Sequence, residues 1–207
     1  MKMKTRDRIL HTSLELFNRF GEPNVTTLQI ADELDISPGN LYYHFKSKSD
    51  IVHELFGWYE AQINEFLDVP QVTISIEDQW LFLHLIFEAI ARYRFVYQDL
   101  VNVLSRYQDL QPHFRRILER KRKASRTICG SLREQALLHA TDEELAALCE
   151  QIVLTATYWV SFEMLTHLEN KDNIDLGRGV YQVMSLVAPY LIEEARTQLQ
   201  SMMQDYL

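Results

Sequence analysis

Two helix starts stand so close together between Thr26 and Lys48, in TTLQIADELDISPGNLYYHFKSK, that the chain there has room only for two short helices and a tight turn. The first start is Thr26 with Gln29 three residues on; hydroxyl and carboxamide satisfy each other's orphan backbone donors as a capping box. Ile30, Ala31 and Leu34 then form an apolar stripe. Asp35-Ile36-Ser37 is too short and polar for anything but a turn. Ser37-Pro38 opens the second helix, with serine as cap and proline at the first helical position, and it runs to about Phe45. Leu41 and Phe45, four apart, face inward, leaving Gly39, Asn40, Tyr42, Tyr43 and His44 on or beside the outer face. No acidic residue lies between Ser37 and Ser49, and Lys46 and Lys48 follow directly. Donors, acceptors, flat rings and nearby cations are the chemistry of a helix laid in a major groove with phosphates on both sides. The expected DNA-contacting set is therefore Thr27, Gln29, Ser37, Pro38, Gly39, Asn40, Tyr42, Tyr43, His44, Lys46 and Lys48.

Taken with Ile9-Leu10, Leu16-Phe17 and Gly21 upstream, the pattern Thr26, Ile30-Ala31, Ser37, Gly39, Leu41-Tyr42, His44-Phe45 and Lys48 resembles the tetracycline-repressor (TetR) family of transcriptional regulators. The resemblance covers about the first quarter of the chain. It departs at Asp35, where the family usually carries glycine, a change aspartate tolerates because it enters the left-handed region more readily than most residues. The resemblance implies a dimeric repressor released from a near-palindromic operator by a small apolar or aromatic effector. It also implies phosphate contacts for Tyr42, His44 and Lys48, and a four-helix interface made by the last two helices and their copies.

The formal charge of −8 argues against a nucleic-acid partner until its distribution is read. Residues 1 to 50 balance seven cations against seven carboxylates, so the remainder carries the whole excess, while Ser37 to Ser49 holds Lys46 and Lys48 unopposed. An acidic body behind a locally basic head makes DNA affinity more salt-sensitive without preventing it. Six Gly and five Pro in 207 residues is sparse punctuation, which fits long helices. The fold class is all-α: a three-helix helix-turn-helix head over 1–48 and a helical-bundle body over 49–207, about nine helices in all.

Along the chain, Thr5 to Phe20 carries Ile9, Leu10, Leu16 and Phe17 on one face, with Gly21 as its stop. Ser47 and Asp50 cap a long helix reaching about Leu67, a lever from the head to whatever follows; Lys48 and the first-turn amides there suit an anion. Asp68 to Ile76 reads as a linker. Glu77 to Tyr97 is apolar on nearly every side and belongs in the middle of the bundle, where His84 and Glu88 would meet, either as a satisfied buried pair or as polar anchors of a pocket. A pocket would draw on Phe82, His84, Phe87, Glu88, Tyr93, Tyr158 and Phe162, although aromatics at helical spacing also make plain core. From Pro112 to about His139, Ile117, Leu118, Ile128 and Leu132 keep an apolar face, which puts most of the run Arg115, Arg116, Arg120, Lys121, Arg122, Lys123 and Arg126 on the solvated side.

Two long helices close the chain, the first capped by Asp142, the second starting at Asn173 or Asp175 and kinked by Pro189. Their stripes, Leu145, Ile152, Ala156 and Trp159, then Val180, Val183, Met184, Val187 and Leu191, are the expected interface of a C2 homodimer burying more than ~2,000 Å². Cys129 and Cys149 read as reduced core thiols, with a redox sensor as the other reading. The longest uncharged stretches, 151 to 162 and 179 to 192, fall short of the ~18 residues of a spanning helix, and no apolar signal region follows the basic start. A cytoplasmic protein with no membrane partner is expected. The sequence has no HExxH, GxSxG, P-loop or Cys-His metal spacing, so neither catalytic residues nor a cofactor or metal is expected. A small-molecule-binding or scaffold dimer that keeps the head without reading specific DNA is the competing class.

Overall fold

The computed structural model describes residues 3–69, 75–167 and 175–204. Among them lie eleven α-helices joined by short turns, and no strand beyond an isolated bridge between Leu138 and Leu191. The all-α expectation holds. The count exceeds nine because two expected helices, the run after Glu77 and the last, are each interrupted.

The head is α1 (Thr5–Phe20), α2 (Thr27–Glu33) and α3 (Pro38–His44), followed by the lever α4 (Lys48–Phe66). The local signals act as expected: Thr26 and Gln29 form a capping box, the Ser37 hydroxyl accepts from the Asn40 amide, and Ser47 and Asp50 form a second box. Asp35 sits in the turn at φ 51°, the left-handed conformation the sequence demanded there.

Most of the expected 68–76 linker lies outside the described residues, and Ser75 caps the next helix. The apolar run after it is broken at Tyr93, giving α5 (Ile76–Arg92) and α6 (Arg94–Gln98). Asn18 of α1 fastens this break: its carboxamide donates to the Arg92 carbonyl and accepts from the Phe95 amide, and its carbonyl accepts from Arg94 and Gln98. After α7 (Leu100–Arg106), α8 (Gln111–Glu134) stops short of His139 because Ala136 turns left-handed at φ 57° and ends the helical ladder. The cap of α9 (Asp142–Thr166) is Thr141 rather than Asp142, completing a capping box with Glu144. Asp175 caps α10 (Leu176–Val187), and Pro189 does more than kink the last helix: a 3-10 turn over Ala188–Tyr190 separates α10 from α11 (Glu193–Met203).

Two apolar cores result. The first joins Ile9, Phe17, Ile30 and Leu41 of the head to Leu55 and Tyr59 of α4 and Phe95, Tyr97 and Phe114 of the body, so the packing does not divide at residue 48. The second is built from α8, α9, α10 and α11 with Phe87 of α5. At Gly179 the α10 backbone presses on Phe87 and Trp159 so closely that an added Cβ would lie 2.5 Å from the Phe87 ring. Cys129 and Cys149 are free thiols buried in the second core, hydrogen-bonded to each other across α8 and α9. By length and composition α9 alone among the described helices is apolar enough to span a membrane; here one side of it packs on α6, α8 and α10.

The stripes expected to form the dimer interface lie inside this second core. Ala156, Trp159, Val180, Val183, Met184 and Leu191 are buried within one copy, and Leu145, Ile152 and Val187 pack against them. The periodicity was right about apolar faces; it could not say which of two faces on α9 meets its own chain. The outward face of α9 instead carries Leu154, Tyr158, Phe162 and Leu165, all exposed and spaced four, four and three apart.

Candidate nucleic-acid interface and effector cavities

α3 is held by its inner face. Leu41 is fully buried and Phe45 nearly so, with the Arg6 guanidinium 4.9 Å above the Phe45 ring. Pro38, Gly39, Asn40, Tyr42 and Tyr43 are exposed, Tyr43 at 80%, and His44 is half-buried with its ring edge-on to Tyr43. A Cβ at Gly39 would touch only Ser37, at 3.9 Å, so nothing inside the protein requires glycine there. Thr27 and Tyr42 share a 2.8 Å hydrogen bond across α2 and α3. They border a shallow hollow of about 390 Å³ with Val25, Thr26, Lys46, Ser47 and Lys48. Gln29 and Ser37 spend their side-chain oxygens on the helix caps, which makes them organisers of the surface first.

Lys48 differs from the sequence expectation of an outward cation. Its ammonium bonds the carbonyls of Glu22 and Val25, each at 3.0 Å, and the Glu22 carboxylate at 2.9 Å. That carboxylate is wholly buried; Arg106 and the Tyr107 hydroxyl also donate to it. Burial and the bond to Glu22 push the Tyr107 phenol well above its ordinary range, so it stays a donor. Glu22 thus ties the head and the start of α4 to the end of α7. In the sequence it counts only as one of seven head carboxylates.

The residues expected to line one pocket do not converge. Phe82 is half-buried on α5, Phe87 lies in the second core, and Tyr93 lies in the first against Tyr59. His84 and Glu88 do meet, at 3.2 Å, but with Glu88 more than half exposed rather than inside the bundle. Tyr158 and Phe162 face outward on α9. Beside a charged surface hollow at Glu119, Arg122, Lys123, Arg126 and Thr127, the described residues of the body line two cavities with apolar walls. One, about 90 Å³, is apolar and lined by Leu83, Ser125, Ile128, Cys129, Leu132, Ile152, Val183, Met184, Val187, Leu191 and Leu199. The other is a groove of about 230 Å³ between α7, α8 and α9, where Tyr158 joins Leu100, Val101, Leu104, Phe114, Leu118, Val153 and Leu154, with Arg122, Glu150 and Thr157 as its polar members.

Beside that groove lies a second residue the sequence reading placed wrongly. Lys121 is 4% exposed, in the first core's interior, bonded to the Tyr97 hydroxyl at 3.2 Å and the Thr157 hydroxyl at 3.4 Å. The Tyr97 hydroxyl in turn bonds that of Tyr59 on α4. Among the described residues no carboxylate bonds it, and burial lowers the amine to about 7. The signal was present: Lys121 falls on the stripe Phe114, Ile117, Ala124, Ser125 at helical spacing. The neighbouring cations behave as surface groups, Arg116 near Glu60, Arg120 on the Asn64 carbonyl and Arg122 on Glu150.

Comparison with known proteins agrees with this architecture along the whole chain. Residues 9–55 match the family described as bacterial regulatory proteins, tetR family, and residues 58–199 match TetR, bacterial transcriptional repressor. A crystal structure of a TetR-family transcriptional regulator from Marinobacter aquaeolei is 38% identical over 99% of both chains, with a TM-score of 0.88. SmeT, the repressor of a Stenotrophomonas maltophilia multidrug efflux pump, shares the fold at 14% identity and TM-score 0.63 over 93% of both chains. Among curated sequences, the Staphylococcus aureus regulator QacR is 32% identical over 82 residues, 40% of this chain and 44% of its own. The Bacillus subtilis probable regulator YttP is 26% identical over 108 residues, 48% of this chain and 52% of its own. The chain thus matches about half or less of these curated relatives' length. Matched by family profiles over both head and body, the chain belongs to the TetR family of bacterial transcriptional regulators.

Proposed function

We propose that this protein is a cytoplasmic, homodimeric repressor that reads a near-palindromic operator through two copies of α3 and releases it when a small molecule binds the body. The observation that carries the reading is the sorting of α3. Its apolar side chains are buried, while the exposed set, Gly39, Asn40, Tyr42 and Tyr43, has hydrogen-bonding and stacking groups but no acid. Asn40 reads a base edge, Gly39 admits close approach, and Thr27, Tyr42 and Lys46 around the shallow hollow hold phosphate. Lys48 fixes the α4 start through Glu22, and the exposed Lys46 is the direct cation. Dimerisation uses the outer face of α9, Leu154, Tyr158, Phe162 and Leu165, whose spacing suits helix-against-helix packing. SmeT has been solved in complex with triclosan, and a Saccharomonospora viridis relative with choline. Those ligands belong to those proteins; here they support only a body that admits a small molecule.

Selection from a random DNA library tests the reading. It should enrich a palindrome with half-sites about one helical turn apart. Asn40→Ala should relax one position at a cost of ~1–3 kcal/mol in affinity. Failure to enrich any sequence would leave only the scaffold reading standing.

A further inference from the structure

Of the two cavities, the apolar one touches no residue of α4, the helix that carries the head. The groove does reach it, through one chain of hydroxyls and an amine. Thr157 is common to both: it lines the groove and accepts from Lys121, which donates to Tyr97, which bonds Tyr59 of α4. Lys121 is a buried primary amine that, among the described residues, contacts two neutral hydroxyls and the face of the Tyr97 ring, 5.1 Å away. An ammonium in that setting is short of a counter-charge. The groove walls above it, Leu104, Phe114, Leu118, Val153 and Leu154, are aliphatic or aromatic.

We propose that the groove between α7, α8 and α9 is the effector site and takes an aliphatic carboxylate, its chain on the apolar walls and its headgroup paired with Lys121 at Thr157. This rests on the effector reading above and names its site and ligand class. A carboxylate arriving at Thr157 competes for the Lys121 protons with Tyr97, so the Tyr97–Tyr59 contact on the lever is the one that changes on binding. Leu154 and Tyr158 belong both to the groove and to the proposed dimer face, so the second copy borders its mouth.

The charges around the amine decide the pH behaviour. Tyr97 from α6 bonds it and Tyr59 from α4 stands behind Tyr97, both with phenols that burial keeps protonated. Arg122 of α8 and Glu150 of α9 line the groove but bond each other at 2.7 Å, and Glu60 on α4 turns away to His113. Lys121 is thus the group that titrates, lowered by burial to about 7. The carboxylate selects the ammonium form, so binding takes up about one proton above neutrality and affinity falls about tenfold per pH unit there.

Octanoate and octanol, matched in chain and different in charge, are the probes, titrated calorimetrically and by thermal shift into the intact dimer without DNA. Octanoate should bind at least tenfold tighter than octanol at about pH 6.5 and lose that advantage by about pH 8.5, with heats that depend on buffer ionisation. Lys121→Met, which removes a buried charge and should fold, and Thr157→Val should each abolish the preference; Arg122→Gln should retain it. Equal binding of the two probes, no octanoate binding up to its solubility limit, or a preference that survives Lys121→Met but not Arg122→Gln would overturn the proposal. Because no operator enters these titrations, their failure is separate from failure of the DNA reading.

Discussion

Replacing Glu22 by glutamine keeps the shape of the side chain and removes the charge on which Lys48, Arg106 and Tyr107 converge. Removing one partner of a buried ion pair costs ~3–5 kcal/mol when both are out of water. Here the carboxylate is fully buried, but the Lys48 and Arg106 side chains are 26% and 42% exposed, so water screens part of the attraction and can accept Arg106 when released. Lys48 also keeps two carbonyl acceptors. The expected loss is therefore ~2–3 kcal/mol, which for a chain of this size lowers Tm by roughly 4–12 °C. Urea unfolding of the wild type, Glu22→Gln, Lys48→Met and the double variant measures it. The cycle should return a coupling of ~1–2 kcal/mol, because the two residues share one contact. The same variants separate two roles for Lys48. A lysine that serves only a phosphate would leave stability untouched on Lys48→Met and lower the salt slope of operator binding by about one ion. A lysine that positions α4 lowers stability, and Glu22→Gln, which touches no phosphate, weakens the operator too. Stability of Glu22→Gln within ~0.5 kcal/mol of wild type would refute the reasoning.

The buried amine has a second consequence, for stability against pH. Lys121 is lowered to about 7 in the folded chain against 10.5 for the ordinary amine, so between those values the unfolded chain binds more protons and stability rises with pH. The rise attributable to Lys121 is on the order of 5 kcal/mol across the window; it should be absent from Lys121→Met and therefore appear in full in the wild-type minus Lys121→Met difference, and a flat difference would mean the amine is hydrated in the folded state. At the outer face of α9, Leu154→Glu with Phe162→Glu should convert the dimer to monomer by light scattering while leaving helical content unchanged, because both side chains are exposed in the single copy. Persistence of a dimer would place the interface elsewhere.

What was legible in the sequence was local. Thr26 with Gln29, Ser37 with Pro38 and Ser47 with Asp50 announce their helices because capping is settled within four residues. The outer face of α3 was legible for the same reason: once Leu41 and Phe45 are placed inward, the rest follow. What required the structure was long-range. Glu22 looks like any surface acid until α7 brings Arg106 and Tyr107 to it, more than eighty residues on. α9 has two apolar faces, and the sequence assigned the partner chain to the one that meets α10. The aromatics Phe87, Tyr93 and Phe162 share periodicity but lie in different places, because a pocket depends on which helices adjoin and periodicity reports only which face of one helix is apolar. Lys121 shows the opposite error, in which a charged residue type outweighed a periodicity that already placed it inside.

The grip on α4 says where a signal from the body can act. Along its exposed side the lever is held by His53 on Asp109, Glu60 on His113, and Arg120 on the Asn64 carbonyl. Such water-accessible pairs contribute ~0–1 kcal/mol each and re-form readily after a small shift, so they register movement without opposing it. At its start, Lys48 binds α4 to Glu22 and Val25 of the head, so head and α4 move as one piece, while Arg106 on Glu22 and the Asn18 bonds to the α5–α6 break are the polar ties of the head to the body. In the interior the lever meets the body through apolar packing, including Tyr59 on Tyr93, and through the Tyr59–Tyr97 hydroxyl contact, which Lys121 continues to Thr157. Allosteric coupling of ~1–3 kcal/mol is about the size of one charge-assisted hydrogen bond gained or lost in such a place. In the proposed dimer, a ligand that rearranges the Tyr59–Tyr97 contact would need no displacement of the whole bundle: the surface pairs would yield, the head would follow α4, and the spacing of the two recognition helices would change with it.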